Sequence, residues 1–166
     1  MIDFKQVKAN NINDVKNLAE LSTHIWHEFW TCIITKEQID YMIDKFQSEK
    51  AITSQIKNEN FVYFFITSSE EIIGYVGLCK KEDFLLLSKL YLKKGYRHKG
   101  IGTKAFNFIK EYAFTNNYKV IHLSINRYNQ ATIDAFNKWG FEKIGAVVTD
   151  IGQGFVMDDY VMEYTF

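Results

Sequence analysis

An α+β fold built on a mixed, mostly antiparallel sheet is what this chain predicts. Three observations carry the prediction. Strand-length apolar runs and helical apolar periods follow one another in the order β-α-α-β-β-β-α-β-α-β-β, which indicates α+β architecture with about seven strands and four or five helices. Hydrophobic residues make up 47% and aromatics 16% of 166 residues, enough to fill the core of one domain spanning 1–166. The third is local: an apolar run at 84–92 leads through a glycine-containing turn into a helical period at 100–115.

Residues 2–8 read as a strand, and 13–30 as a helix with Val15, Leu18, Ala19, Ile25, Trp26 and Phe29 inward. Thr35 and Gln38 form a capping-box signature for a helix bearing Ile39, Met42, Ile43 and Phe46. Residues 51–60 read as a weaker helical turn. Strands 61–67 and 72–79 are joined by the polar turn Ser68-Ser69-Glu70-Glu71, and strand 84–92 follows. Ile101, Ala105, Phe108, Ile109 and Tyr112 recur at helical spacing over 100–115. Strand 120–125, helix 130–138 and strands 142–150 and 155–165 complete the chain. Asn129 is the expected N-cap of the 130–138 helix, and Gly140 its left-handed stop.

Charge excludes little and directs little. Twenty basic residues balance 20 acidic ones, so attraction to nucleic acid or to an acidic membrane is not written into the net charge. No apolar run approaches the roughly 18 residues of a membrane span, and the N-terminus lacks a signal pattern, so a cytoplasmic protein is expected. Cys32 and Cys79 have no metal-like spacing and read as free thiols. His24 and His27 with Glu28 match no metalloprotease order, so no metal site is expected.

The segment Arg97-His98-Lys99-Gly100-Ile101-Gly102 carries most of the functional signal. Between a strand and a helix it aims free N–H groups outward at the positive helix end, a cradle for a phosphate or pyrophosphate. A nucleotide-triphosphate loop requires lysine where Ile101 stands, so that reading fails. Gly100, Gly102 and Ala105 satisfy a dinucleotide fingerprint, but the next strand, 120–125, offers no acid for the ribose. A strand-to-helix turn without any ligand explains the same residues.

From Leu90 through Thr103 the chain resembles the GNAT superfamily of N-acetyltransferases, whose diagnostic segment is [QR]-x-x-G-x-[GA]. A second stretch, Asn126 through Phe141, is similar to that superfamily's N-x-x-A-I-x-L-Y-E-K-x-G-F helix. The resemblance implies a fold in which strands 84–92 and 120–125 start side by side and then splay, with a bulge near 88–90 bending the first. It implies acetyl-coenzyme A as cofactor, in contact with Leu90, Tyr91 and Leu92, with Arg97, His98, Lys99, Gly100, Ile101, Gly102 and Thr103, and with Asn129 and Phe136. The pantetheine arm pairs with main-chain groups of Leu90 and Leu92 like an added strand, and the Leu90 N–H serves as oxyanion donor.

One departure stands out. Phe136 occupies the place of the tyrosine that the superfamily uses to protonate the leaving thiolate, and phenylalanine has no proton to give. Tyr128 and Tyr160 are nominal substitutes that spacing does not choose between. Otherwise the thiolate leaves unassisted, being a weak enough base near neutral pH. The same departure keeps a non-catalytic acyl-coenzyme A sensor in view.

The acceptor expected from the resemblance is a primary amine that attacks the thioester directly, without an acyl-enzyme. An ammonium group needs acidic and aromatic company, and two clusters offer it: Trp26, Glu28 and Tyr41, and Asp158 with Asp159. Adjacent strand residues point to opposite faces, so only one of the two aspartates faces a cleft. Residues 41–48 together with 154–163 look like a bacterial subgroup related to PaiA-type spermidine/spermine acetyltransferases, which suggests a polyamine or another small amine as partner and leaves a homodimer open.

Overall fold

The computed structural model describes residues 1–166. Seven strands form a single sheet in the order β1-β2-β3-β4-β5-β7-β6. They are β1 (Ile2–Gln6), β2 (Phe61–Ser68), β3 (Glu71–Lys80), β4 (Leu85–Leu92), β5 (Val120–Asn126), β6 (Glu142–Gly152) and β7 (Phe155–Thr165). Five helices accompany them: α1 (Ile12–Phe29), α2 (Lys36–Gln47), α3 (Glu49–Asn58), α4 (Ile101–Thr115) and α5 (Gln130–Lys138). Every neighbouring pair is antiparallel except β4 with β5.

Alternation along the strands feeds two cores. Val62, Phe64 and Ile66 of β2 point to the face covered by α4 and α5, where they join Ala105, Ile109, Ile133 and Phe136. Tyr63 and Phe65, one residue out of phase, point to the face covered by α1, α2 and α3, joining Leu18, Ile25, Ile39 and Ile52. With both faces covered, residues 62–66 are buried without interruption. The second face also encloses a polar chain. Trp26 Nε1 donates to Tyr75 Oη, Tyr75 Oη donates to Gln47 Oε1, and Tyr63 Oη donates to Gln55 Oε1, so groups from α1, α2, α3, β2 and β3 satisfy one another.

The sheet opens at its middle. Beside β3, Gly77 pairs with Lys89 and Leu78 with Leu87, leaving Ser88 as the extra residue of a bulge. On the other side, β4 pairs with β5 only through Leu85–Ile121 and Leu86–His122. From there the two strands part.

Several boundaries differ by a residue or two from those the sequence predicts, and three of the differences have a visible local cause. The segment read as a weak turn at 51–60 is a full helix, because Ser48 accepts from Ala51 N as its N-cap and Ile52 and Gln55 are buried. The first strand stops at Gln6, after which the Lys8 N–H turns to the Asp14 carboxylate. Helix α1 ends at Phe29, and Trp30–Cys32 tighten into a 3₁₀ turn.

Candidate active site

The turn after β4 leaves main-chain amides bare. His98 (φ 60°) and Gly100 (φ 75°) both take left-handed backbone, and Gly100 is the residue before α4. A Cβ at Gly100 would meet nothing within 4 Å, so the backbone conformation selects glycine there rather than crowding by the protein. Lys104 N finds Gly100 O at 3.2 Å, while the amides of Ile101, Gly102 and Thr103 precede the first intrahelical bond. No side chain caps this end and no acid lies in its first turn, so the positive pole of α4 is free. At Gly102 a Cβ would stand 3.3 Å from the Trp139 ring, which marks how closely α4 lies beside α5.

The gap between β4 and β5 begins beside this pole. Lys93 N donates to Ile73 O, and antiparallel alternation then turns the main-chain groups of Tyr91 toward β3 and those of Leu90 and Leu92 into the gap. Arg97 takes one of them. Its Nε donates to Leu92 O at 2.9 Å, its Nη2 to Glu28 Oε1 at 3.0 Å, and its guanidinium lies over the Phe29 ring. Arg97 therefore pins the loop to β4 and α1, leaving the Leu90 N–H, the Leu90 carbonyl and the Leu92 N–H as the strand-like edge.

A cavity of about 790 Å³ fills the gap and continues through to the other face of the sheet. On the α4 and α5 side it is lined by His98, Gly100, Gly102, Thr103, Asn129 and Phe136. Asn129 is buried, but its side chain does not cap α5 as the sequence predicts; it borders the cavity instead. On the α1 and α2 side the lining is Trp26, Phe29, Trp30, Ile34, Gln38, Met42, Tyr91, Met157 and Asp159. Gln38 Nε2 donates to Val156 O at 2.8 Å, and Tyr41 and Lys45 both donate to Ile151 O, so α2 clasps the β6–β7 hairpin around this half.

Of the paired aspartates, Asp159 is the one at the cavity. It is 5% exposed, and its carboxyl is pushed up to about 6, first by burial and then by the neighbouring charge of Asp158. Tyr91 stands near it. Burial raises its hydroxyl far above the ordinary range, and the Asp159 charge acts in the same direction. The Trp30 indole N–H is directed at Tyr91 but forms no well-made hydrogen bond, so it is buried without a partner.

Several residues singled out from the sequence lie elsewhere. Asp158 faces away and pairs with Arg127 at 2.6 Å, a close charge contact in which the N–H does not point at the oxygen. Glu28 is held by Arg97, and Tyr41 is spent on the hairpin, its ring tilted against Phe155. Tyr128 is 71% exposed, outside the cavity. Tyr160, one residue out of phase with Asp159, lies on the opposite face under Arg127 and Lys143. Neither tyrosine lines the cavity. Ile101 sends its side chain into the core and Lys99 lies over Tyr96, and neither lines the cavity. The sequence reading also passed over residues that do line the cavity: Ile34, Gln38, Met42, Ser88, Lys89 and Met157. The i,i+4 pair Gln38–Met42 and the i,i+2 pair Met157–Asp159 were the available signals.

Comparison with known proteins agrees with this geometry. The profile of the Acetyltransferase (GNAT) family matches residues 22–141. A spermidine N(1)-acetyltransferase from Thermoplasma acidophilum is 22% identical over 157 residues, covering 92% of this chain and 95% of that protein. In the solved PaiA N-acetyltransferase of Thermoplasma acidophilum in complex with coenzyme A, the TM-score is 0.77 at 20% identity, with 100% of this chain and 99% of that one covered. A GCN5-related N-acetyltransferase from Rhodopseudomonas palustris gives a TM-score of 0.80 at 15% identity, covering 99% of this chain and 95% of that one. At such identities the structural likeness is one of fold.

Proposed function

The chain belongs to the acetyltransferase (GNAT) family, and on that premise we propose that it moves an acetyl group from acetyl-coenzyme A to a primary amine by direct attack. The observation that carries this is the gap beyond Leu86 and His122, opening beside the uncapped end of α4. The residues fit the coenzyme: bare amides at 101–103 suit a pyrophosphate, and the Leu90 and Leu92 edge suits the amides of pantetheine. Acetyl-coenzyme A supplies the activated acyl carbon.

The chain's own groups do the rest. The Leu90 N–H polarises the thioester carbonyl and stabilises the negative charge that grows on its oxygen; losing such a donor typically costs about 3–4 kcal/mol of barrier. Asp159 pairs with the incoming ammonium, which gives one proton to solvent to free its lone pair; as the neutral amine forms its bond to the acyl carbon and the carbon–sulfur bond breaks, Asp159 takes the second proton and the sulfur departs as thiolate. A carboxyl raised to about 6 is a stronger base than an ordinary aspartate and is still mostly ionised at neutral pH. Phe136 lines the cavity where the family's acid would stand, so the thiolate leaves without a side-chain donor. The spermidine-acetylating relative makes a polyamine one candidate amine.

Titration calorimetry with acetyl-coenzyme A tests the loop. Saturable binding is expected, and Gly100→Glu abolishes it by placing an acid in the pyrophosphate cradle; unchanged affinity in that variant contradicts the assignment. A second reading, a non-catalytic acyl-coenzyme A sensor, draws on Phe136. Release of free thiol in the presence of amines separates the two, because a sensor binds without turnover.

A further inference from the structure

The acceptor half of the cavity is aromatic and nearly free of acid. The Trp26 and Tyr91 rings lie 5.7 Å apart, Phe29 and Tyr91 6.0 Å, and Phe29 and Trp30 5.1 Å. The Trp26 N–H is already given to Tyr75, so Trp26 offers the cavity an apolar ring. Asp159 is the single carboxylate on this side. The others nearby are committed: Glu28 to Arg97, Asp158 to Arg127, and Asp134, on the α5 side, accepts from Gln130.

A cation also lines the same chamber. Lys89, the residue after the bulge, shares its face with Tyr91, and its stem packs where a Cβ of Gly77 would fall, 3.0 Å away, beside Tyr63. Its ammonium donates to Ser88 Oγ at 2.7 Å and has no carboxylate partner. Burial draws it down to about 8, which leaves it mostly charged at pH 7.

We propose that the amine accepted here is a monoamine carrying an aromatic or bulky apolar body, and that Lys89 is the specificity residue that turns polyamines away. The inference rests on the acetyl-transfer reading above and narrows its substrate. One ammonium pairs with Asp159 while its apolar body lies among Trp26, Phe29, Trp30 and Tyr91. A second ammonium on the same molecule finds no free carboxylate and meets the Lys89 charge. Discrimination arises from that repulsion as well as from the ring contacts.

The test measures thiol release from acetyl-coenzyme A with 2-phenylethylamine and with spermidine. We expect kcat/KM for phenylethylamine at least tenfold above that for spermidine. Lys89→Met moves the ratio at least tenfold toward spermidine, and Lys89→Arg restores it. Spermidine matching or exceeding phenylethylamine in the unmodified protein overturns the proposal, whether or not the variants fold. An unchanged ratio in a Lys89→Met protein that binds acetyl-coenzyme A normally overturns the role of Lys89. If neither amine releases thiol, the transfer reading fails separately. Calorimetry of the two amines on the coenzyme A-bound protein then decides the pocket: tighter phenylethylamine supports it, and tighter or equal spermidine ends it.

Discussion

Asp159 shows how one residue sets stability against chemistry. Its carboxyl is raised to about 6 by burial, so the folded protein holds a proton there that the unfolded chain releases near pH 4. The folded state therefore binds more protons between those values, and this group makes stability fall as pH rises from about 4 to about 6. The penalty is absent below that window and complete above it. Asp159→Asn is expected to lower kcat/KM at pH 7 by a hundredfold or more with acetyl-coenzyme A affinity unchanged. The same variant should melt a few degrees higher than the parent above pH 6 and equal to it below pH 4. Parallel melts and kinetics check this, and a variant that loses activity while also melting lower at pH 7 contradicts the role. For the unmodified protein, kcat/KM should fall as pH drops through about 6, because the protonated carboxyl cannot take up the amine's proton.

Tyr75 is the structural counterpart at this scale. It accepts from Trp26 and donates to Gln47, both inside the core. Tyr75→Phe leaves both partners unsatisfied and is expected to cost about 1–3 kcal/mol in denaturant unfolding.

Among the elements, the bulge in β4 and the clasp of α2 on the hairpin matter most. Ser88 adds one residue to β4, so Lys89 and Tyr91 reach the α1–α3 face while Leu90 turns its amide into the gap. Side chains alternate along a strand, so without that extra residue the positions beyond it would present the opposite face. The clasp acts at a distance from the reacting atoms. Tyr41 and Lys45 hold Ile151 O, and Gly152, at φ 98°, leaves no room for a Cβ beside the Tyr41 hydroxyl. Tyr41→Phe removes one of the two bonds and should raise KM for the amine several-fold with acetyl-coenzyme A affinity unaltered, measured by steady-state kinetics alongside calorimetry. A change in coenzyme affinity instead would place the hairpin's influence on the wrong side of the sheet.

For the molecule as a whole, the sheet is a partition with a slot in it. The cavity is lined from the α4 and α5 face and from the α1–α3 face, and the proposed reaction assigns the first half to the coenzyme and the second to the acceptor, meeting where β4 and β5 part. Ligand binding to the folded state alone should raise the melting temperature: acetyl-coenzyme A at a hundred times its dissociation constant contributes about 2.7 kcal/mol. A thermal-shift series should show that rise in the parent protein and none in Gly100→Glu. No helix is long and apolar enough to cross a membrane.

Local signals determined the element order, the glycine-containing turn before α4 and the stop at Gly140, because backbone conformation and apolar period act within a few residues of chain. Helix α5 and strand β7 fall at the bounds that periodicity alone predicts, 130–138 and 155–165. Helix α3 read weakly because its inward set is small, two buried residues, and packing against α1, α2 and β2 joins the Ser48 cap in making it a helix. Tertiary structure alone decided the acceptor site. Whether Asp158 or Asp159 faces the cavity depends on which side of β7 the α1–α3 layer covers, and Glu28 was removed from the site by Arg97, 69 residues away in sequence. Lys89 gives no sign of its role in the sequence, since a lysine's charge environment is made by neighbours that folding brings together from distant parts of the chain.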